Sequence, residues 1–148
     1  MAAHLRGKAL ALLARREYSR ALLAKKLMPF AESEQALESV LDDLAASLML
    51  SDARYASNRA RARGSRYGNA RLTRELEEAG VAAETISVAL AATEDESRRC
   101  RAVWQKQFGA LPDTLAERAR QVRFLQYRGF SSDSIRQVLN GTEWDDAS

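Results

Sequence analysis

Apolar residues recur along this chain with two periods, a short one typical of helices and a long one of 49 residues. The short period is clearest at Leu37, Val40, Leu41, Leu44 and Leu48, whose spacing of three and four residues predicts one amphipathic helix. The long period relates three sets of positions: Leu27, Leu37 and Leu41, then Leu76, Ile86 and Leu90, then Leu125, Ile135 and Leu139. Each set predicts the core of a small helical unit, so we expect an all-α fold, an elongated array of three tandem three-helix repeats.

The limits of the repeats follow from residues that begin helices. We place the first repeat at residues 1–50, the second at 51–93 and the third at 94–140, with 141–148 as an acidic tail. Helix starts within and between these repeats are predicted at Ser19, Ser51, Asn69, Pro112–Asp113 and Ser131.

The turn before the last helix of each repeat falls at equivalent positions, Ala31, Gly80 and Gly129. Both glycines are expected to adopt a positive φ at the end of the preceding helix. The first repeat has Pro29 and Phe30 before Ala31, so we expect its turn to have a different geometry.

Few side chains in the sequence could carry out chemistry. His4 and Cys100 are the only residues of their kinds, which is too few soft ligands for a structural zinc site and provides no nucleophile with its base. The spacing of Cys100 to Val103 and Trp104 predicts a packed, unreactive thiol. Gly64–Gly68 lacks the lysine and hydroxyl residue of a phosphate-binding loop and is interpreted as an interhelical hinge. We therefore predict a binding protein and not an enzyme, with no cofactor and no metal.

Cysteine use and hydropathy predict the cellular compartment. A single cysteine allows no intramolecular disulfide, which favours a reducing environment. The apolar stretch at residues 9–14 is too short for a membrane span and lacks the features of a signal peptide. We expect a cytoplasmic protein without a membrane partner, and units that contact only their neighbours in one chain predict an extended monomer.

The charge pattern predicts one binding surface. The whole chain carries a formal charge of only +3, but seven arginines and no acidic residue lie between positions 54 and 74. Arginine side chains bind phosphate and carboxylate oxygens through two parallel hydrogen bonds, and Tyr55 and Tyr67 add rings that can pack or stack. The predicted contact residues are Arg54, Arg59, Arg63, Arg66, Arg71 and Arg74, with Lys25 and Lys26 as lesser candidates.

The residues alone do not identify the partner of this basic segment. Arg59 and Arg63 share a helix face and are expected to be exposed. A nucleic-acid backbone and an acidic protein surface fit equally well, and a solvated basic face without a partner is the third interpretation.

Four segments of the chain resemble the RecX family of bacterial regulatory proteins. They are Ala11–Ser19 (ALLARREYS), Leu50–Ala56 (LSDARYA), Arg74–Val81 (RELEEAGV) and Phe124–Ser131 (FLQYRGFS). The resemblance implies an elongated array of three three-helix units that lodges in the groove of the RecA filament on DNA. It also implies that the protein hinders filament growth and reduces strand exchange and co-protease activity, without a cofactor or catalytic residue.

Two other classes of binding protein remain as alternatives. A three-helix unit with a tight turn is also the layout of helix-turn-helix regulators, which bind a specific DNA sequence. A helical-repeat adaptor would bind another protein and be indifferent to both DNA and RecA. For the basic segment itself, we expect only weak binding to single-stranded or duplex DNA, without sequence preference.

Overall fold

The computed structural model describes residues 2–140, and the predicted acidic tail at 141–148 lies outside them. Within these residues the chain is helical, with no strand, and a short 3-10 helix at Met28–Phe30 follows the second α-helix. The α-helices are α1 Ala2–Arg15, α2 Arg20–Leu27, α3 Glu34–Ala46, α4 Asp52–Arg63, α5 Asn69–Glu78, α6 Ala83–Ala91, α7 Glu96–Gln107, α8 Leu115–Tyr127 and α9 Ser132–Leu139.

The helices form three consecutive units, and each unit has its own hydrophobic core. In every unit the first and third helices pack together, α1 with α3, α4 with α6 and α7 with α9. Leu41 lies in the core of unit 1, Leu76 in that of unit 2 and Leu125 in that of unit 3. The predicted all-α array of three-helix repeats is therefore confirmed. Of the nine positions in the 49-residue pattern, only Leu90 is incompletely buried, because it packs at the edge of its core.

The turns before α6 and α9 have the predicted geometry. Gly80 has φ of 81° and Gly129 has φ of 91°, in the left-handed region that favours glycine. Ala31, the equivalent residue of unit 1, has φ of −87°. The 3-10 helix at Met28–Phe30 makes that turn instead, with proline near its first position, so the expected difference of the first turn is also confirmed.

Two of the predicted helix starts are wrong. Asn69 is the first residue of α5 rather than its cap, because its side chain accepts a hydrogen bond from Arg99 and Gly68 takes the N-cap position. α8 begins at Leu115 and not at Pro112–Asp113, because the Thr114 hydroxyl accepts from the backbone N–H of Glu117 and fixes the cap there. The starts at Ser19, Ser51 and Ser131 are confirmed by the same type of hydrogen bond, to the backbone N–H three residues later.

The prediction that Leu48 belongs to the third helix is also wrong. α3 ends at Ala46, and Leu48 has φ of 63° with 73% of its surface exposed. The backbone N–H of Met49 donates to the carbonyl of Leu44, and that of Leu48 donates to Ala45. This hydrogen-bond pattern is the Schellman motif, in which Leu48 occupies the left-handed position that normally holds glycine.

Successive units are joined by contacts that themselves repeat every 49 residues. The Ser19 hydroxyl donates to the carbonyl of Ala79 at 2.6 Å, which joins unit 1 to the turn before α6. At the equivalent positions, the backbone N–H of Gly68 donates to the carbonyl of Arg128 at 2.8 Å, which joins unit 2 to the turn before α9. Hydrogen bonds at related positions therefore orient each unit on the next.

A carboxylate strengthens each of these two junctions. The Asp52 side chain at the start of α4 accepts from the backbone N–H of Arg20 at 2.7 Å. The Glu96 side chain at the start of α7 accepts from the backbone N–H of Asn69, also at 2.7 Å. Each acid thus satisfies an N-terminal N–H of the middle helix in the preceding unit, where the helix dipole favours negative charge.

Arg99 fixes the segment that was interpreted as an interhelical hinge. Its side chain is 3% exposed and donates to the carbonyls of Glu94, Gly64 and Tyr67 and to the Asn69 side chain. Burial lowers the pKa of this guanidinium, while the negative charge of Glu96 counteracts the effect. Because the segment at residues 64–68 is held at both ends by hydrogen bonds, it is a fixed junction and not a hinge.

Candidate partner-binding surface

A dense group of positive charges surrounds one aromatic ring. Four guanidinium groups lie over the ring of Tyr67: Arg71 at 4.3 Å from the centroid, Arg63 at 4.6 Å, and Arg66 and Arg128 at 5.5 Å each. We call these five residues the Tyr67 cluster. Cation–π attraction of about 0.5–1 kcal/mol for each exposed pair offsets part of the repulsion among the four cations.

Close packing of two backbones creates this cluster. Three of the arginines belong to unit 2, and Arg128 belongs to unit 3. Gly68 lies so close to Gly129 that a Cβ atom on Gly68 would overlap the carbonyl group of Gly129. Arg128 also donates to the carbonyl of Arg66 at 3.3 Å. The junction between the two units therefore places the fourth guanidinium beside the other three.

Glu75 balances one positive charge of the cluster. Arg63 donates to both oxygens of Glu75, at 2.6 and 2.8 Å, and Arg71 lies 3.7 Å from the same carboxylate. Burial alone would raise the pKa of Glu75, but the hydrogen bonds and charge of Arg63, with the charges of Arg59 and Arg71, hold it below its usual value. One ionised carboxylate against four guanidinium groups leaves a net excess of three positive charges.

Two of the predicted contact residues have clear structural partners. Arg63 was expected to be exposed, yet its side chain is only 21% exposed because it is bound to Glu75. Arg54 donates to Glu17 at 2.6 Å and to the carbonyls of Leu48 and Met49 at 3.0 and 3.2 Å. Both arginines therefore hold the fold together in addition to any contact they make with a partner.

The other predicted residues are more accessible. Arg71 is half-buried and also lies 5.8 Å from the ring of Tyr127, which is 77% exposed. The remaining predicted arginines and lysines are exposed: Arg59, Arg66, Arg74, Lys25 and Lys26. Lys26 lines a groove of about 350 Å³ on unit 1, away from the Tyr67 cluster.

Sequence reasoning overlooked one member of the surface and misassigned another. Arg128 is distant in sequence from the arginine-rich segment, and only its position one residue before the turn glycine of unit 3 could have indicated the contact. Tyr55 was expected to present its ring beside the arginines. It is 7% exposed and belongs to the core of unit 2, so of the two predicted tyrosines only Tyr67 lies among the arginines.

The described residues offer little for catalysis or metal binding. No group of three or more His, Cys, Asp or Glu side chains in this part of the chain could hold a metal ion. Cys100 is fully buried, and burial, together with the charge of Glu96, raises its thiol pKa to about 12, which confirms the predicted packed thiol. Among residues 2–140, no helix has the length and apolar character needed to cross a membrane.

Comparison with known protein families agrees with this architecture. Residues 51–90 match the family model for the second three-helix domain of RecX, and residues 94–139 match that for the third. The chain belongs to the RecX family. A regulatory protein RecX from Chromobacterium violaceum is 47% identical over 142 residues, which cover 96% of this chain and 93% of the relative. One from Leptothrix cholodnii is 48% identical over 136 residues, or 91% of this chain and 87% of the relative.

Solved structures of RecX proteins share the fold. The crystal structure of RecX from Lactobacillus salivarius matches with a TM-score of 0.84 over 97% of both chains, at 16% sequence identity. Another RecX crystal structure matches with a TM-score of 0.79, covering 93% of this chain and 72% of that one, at 19% identity. The relatives are named as regulatory proteins, and the family to which this chain belongs is therefore a regulatory one.

Proposed function

We propose that this protein binds the RecA filament formed on DNA, hinders its extension, and thereby reduces its recombinase and co-protease activities. The observation that carries the proposal is the Tyr67 cluster on a RecX-family array, where two successive units together present an excess of positive charge. A filament on DNA offers acidic protein groups and phosphates in a regular arrangement. Arginine binds both types of oxygen through paired hydrogen bonds.

The repeating junctions support binding along a filament. Hydrogen bonds at Ser19 and Gly68 fix each unit relative to the next, so the binding groups of different units keep a constant separation. Contacts that are individually weak then add through effective concentration, provided that their spacing matches that of the partner. A preorganised array also loses less conformational entropy on binding than a flexible chain does.

We further propose that the cluster contacts DNA phosphates only weakly and without sequence preference. Arg66 and Arg71, whose guanidinium groups lie over the ring of Tyr67, can approach a phosphodiester backbone. A helix-turn-helix regulator would instead bind one duplex sequence tightly, usually as a dimer. The basic surface lies around the α4–α5 loop, where unit 2 contacts unit 3, and not along one exposed recognition helix.

The direct test adds the purified protein to RecA assembled on single-stranded DNA and follows ATP hydrolysis and filament length. We expect slower hydrolysis and shorter filaments as the protein concentration increases. The same protein without RecA should hydrolyse no ATP, and its affinity for DNA should be equal for unrelated sequences. Unchanged RecA activity would refute the proposal, tight binding to one duplex would favour the DNA-binding regulator, and indifference to both would favour an adaptor.

A further inference from the structure

Leu48 combines three features that rarely occur together at one residue. It is apolar, it is 73% exposed, and its φ of 63° lies in the region that leucine avoids. In this position of a Schellman motif glycine is the usual residue, because it has no Cβ to clash with the backbone. The folded chain therefore holds a strained leucine where glycine would be more stable, and no packing within the described residues compensates for it.

The neighbouring residues make this strained turn rigid. Met49 follows with 45% of its surface exposed, so two consecutive large apolar residues are exposed at this turn. Arg54 donates to the carbonyls of both residues and is itself anchored by Glu17 at 2.6 Å. Leu50, the next residue, is buried in the core of unit 1. The backbone of the exposed pair is thus fixed on both sides, so it loses little backbone freedom on contact with a partner.

We infer that Leu48 and Met49 form an apolar anchor that inserts into a pocket on a protein partner, which is the filament protein under the function proposed above. Strain retained at an exposed apolar residue is expected where the side chain is used for binding. A few buried apolar residues at the centre of an interface contribute most of its affinity, while surrounding polar contacts contribute less. The anchor would supply aliphatic contact that the Tyr67 cluster lacks.

The local charge and the size of the anchor favour a protein over the other possible partners. Two exposed acidic residues of α3, Asp42 and Asp43, precede the anchor in the chain; Asp42 is paired with Arg20 at 2.7 Å, and the charge of Asp43 would repel nucleic-acid phosphates. Two side chains also cover only a small part of the roughly 800 Å² per partner that a stable interface buries. A second copy of this chain joined through this pair alone would therefore not form a stable dimer. A protein partner that also contacts other units of the array would bury additional surface there, so the small area of the anchor does not prevent a stable complex.

The test uses substitutions that separate stability from binding. Leu48→Gly relieves the strain, so the melting temperature should rise by about 2 °C or more, while the concentration needed for half-inhibition of RecA should rise by about tenfold or more. Leu48→Asn also tolerates a positive φ and should weaken inhibition similarly, since it keeps the turn but removes the apolar side chain. Leu48→Met should retain inhibition. Leu115→Ala, at a leucine that is 86% exposed on α8, is the matched control and should inhibit as the wild type does.

Each outcome has a separate consequence. If the wild type inhibits RecA and both Leu48→Gly and Leu48→Asn inhibit equally well, the anchor is refuted and the proposed function stands. If the wild type does not inhibit, the proposed function fails and the anchor assigned to it fails too. If Leu48→Asn weakens binding to DNA alone as much as it weakens inhibition, or changes the molar mass in solution, the partner is a nucleic acid or a second copy and the inference is wrong.

Discussion

Gly68 and Gly129 touch backbone to backbone across the junction between units 2 and 3. A Cβ atom on Gly68 would overlap the carbonyl group of Gly129, and a Cβ atom on Gly129 would lie 2.8 Å from the backbone nitrogen of Arg71. This approach allows the hydrogen bond from Gly68 to the carbonyl of Arg128 and brings Arg128 beside Tyr67. Stability and the basic surface therefore depend on the same pair of glycines.

Replacing Gly68 by alanine should lower the free energy of unfolding by about 1–3 kcal/mol, as overpacking against backbone does. Gly7 provides the matched control, because it lies within α1 and a Cβ atom there meets nothing within 4 Å. Gly7→Ala should stabilise the protein by roughly 0.5–1 kcal/mol. Urea denaturation of the two variants measures both changes, and equal stabilities would show that the junction tolerates a side chain at Gly68.

Charge reversal should distinguish arginines that hold the fold from those that face solvent. Arg63→Glu replaces a bidentate ion pair with two neighbouring carboxylates and should cost about 1–3 kcal/mol of stability. Arg74→Glu, on the exposed side of α5, should change stability by less than about 0.5 kcal/mol. Thermal melting at low salt compares the two variants. If they melt at the same temperature, the Arg63–Glu75 pair contributes nothing to the fold.

Glu96 should contribute to stability at neutral pH and lose that contribution in acid. Burial alone would raise its pKa, but hydrogen bonds from Ser131, Ser134 and the backbone of Asn69 hold the pKa below its usual value. A carboxyl with a lower pKa in the folded state stabilises the protein above its unfolded pKa, and the effect disappears as pH falls through the folded pKa. Glu96→Gln should therefore be less stable at pH 7 and lose less stability on acidification. Parallel pH profiles would contradict this assignment.

Binding to single-stranded DNA alone should be weak and strongly dependent on salt. With about four phosphate contacts, the logarithm of the affinity should fall with the logarithm of salt concentration with a slope near −3. Fluorescence anisotropy with labelled oligonucleotides of unrelated sequence measures both slope and preference. A slope near zero, or a preference for one sequence at physiological salt, would exclude the phosphate contacts proposed for the Tyr67 cluster.

Local chemistry made much of the fold predictable from sequence. The 49-residue pattern marks the three cores. Ser19, Ser51 and Ser131 mark helix starts because a serine hydroxyl just before a helix accepts a hydrogen bond from the backbone N–H three residues later. Leu48 was assigned wrongly because its spacing fits the helix, and only the hydrogen bonds to Leu44 and Ala45 show that the helix has already ended.

The binding surface was less predictable because distant residues define it. In the sequence, Arg63 is one of seven similar arginines. In the structure, Glu75 on the next helix binds it. Arg128 lies 60 residues after Gly68 in the sequence and joins the cluster only because the two residues meet at the junction between units 2 and 3. Composition identifies the basic segment. Which of its side chains are accessible to a partner depends on tertiary contacts with residues outside the segment.

The measurement that tests the central claim most directly is inhibition of RecA by a protein with reversed charges at Arg66 and Arg74. Both residues are exposed, so Arg66→Glu with Arg74→Glu should leave the melting temperature nearly unchanged. Arg98→Glu with Arg101→Glu, which reverses two exposed arginines on α7 of unit 3, is the matched control. All proteins are compared at equal concentration and fixed salt by ATP hydrolysis of RecA on single-stranded DNA.

Reversed charge at a complementary surface turns attraction into repulsion and can cost several kcal/mol of binding free energy. We therefore predict that the Arg66 and Arg74 double variant loses inhibition, while the control double variant retains it. If the folded Arg66 and Arg74 variant inhibits RecA as well as the wild type does, the surface that carries these two arginines is only a solvated face, and the proposed mode of binding is contradicted.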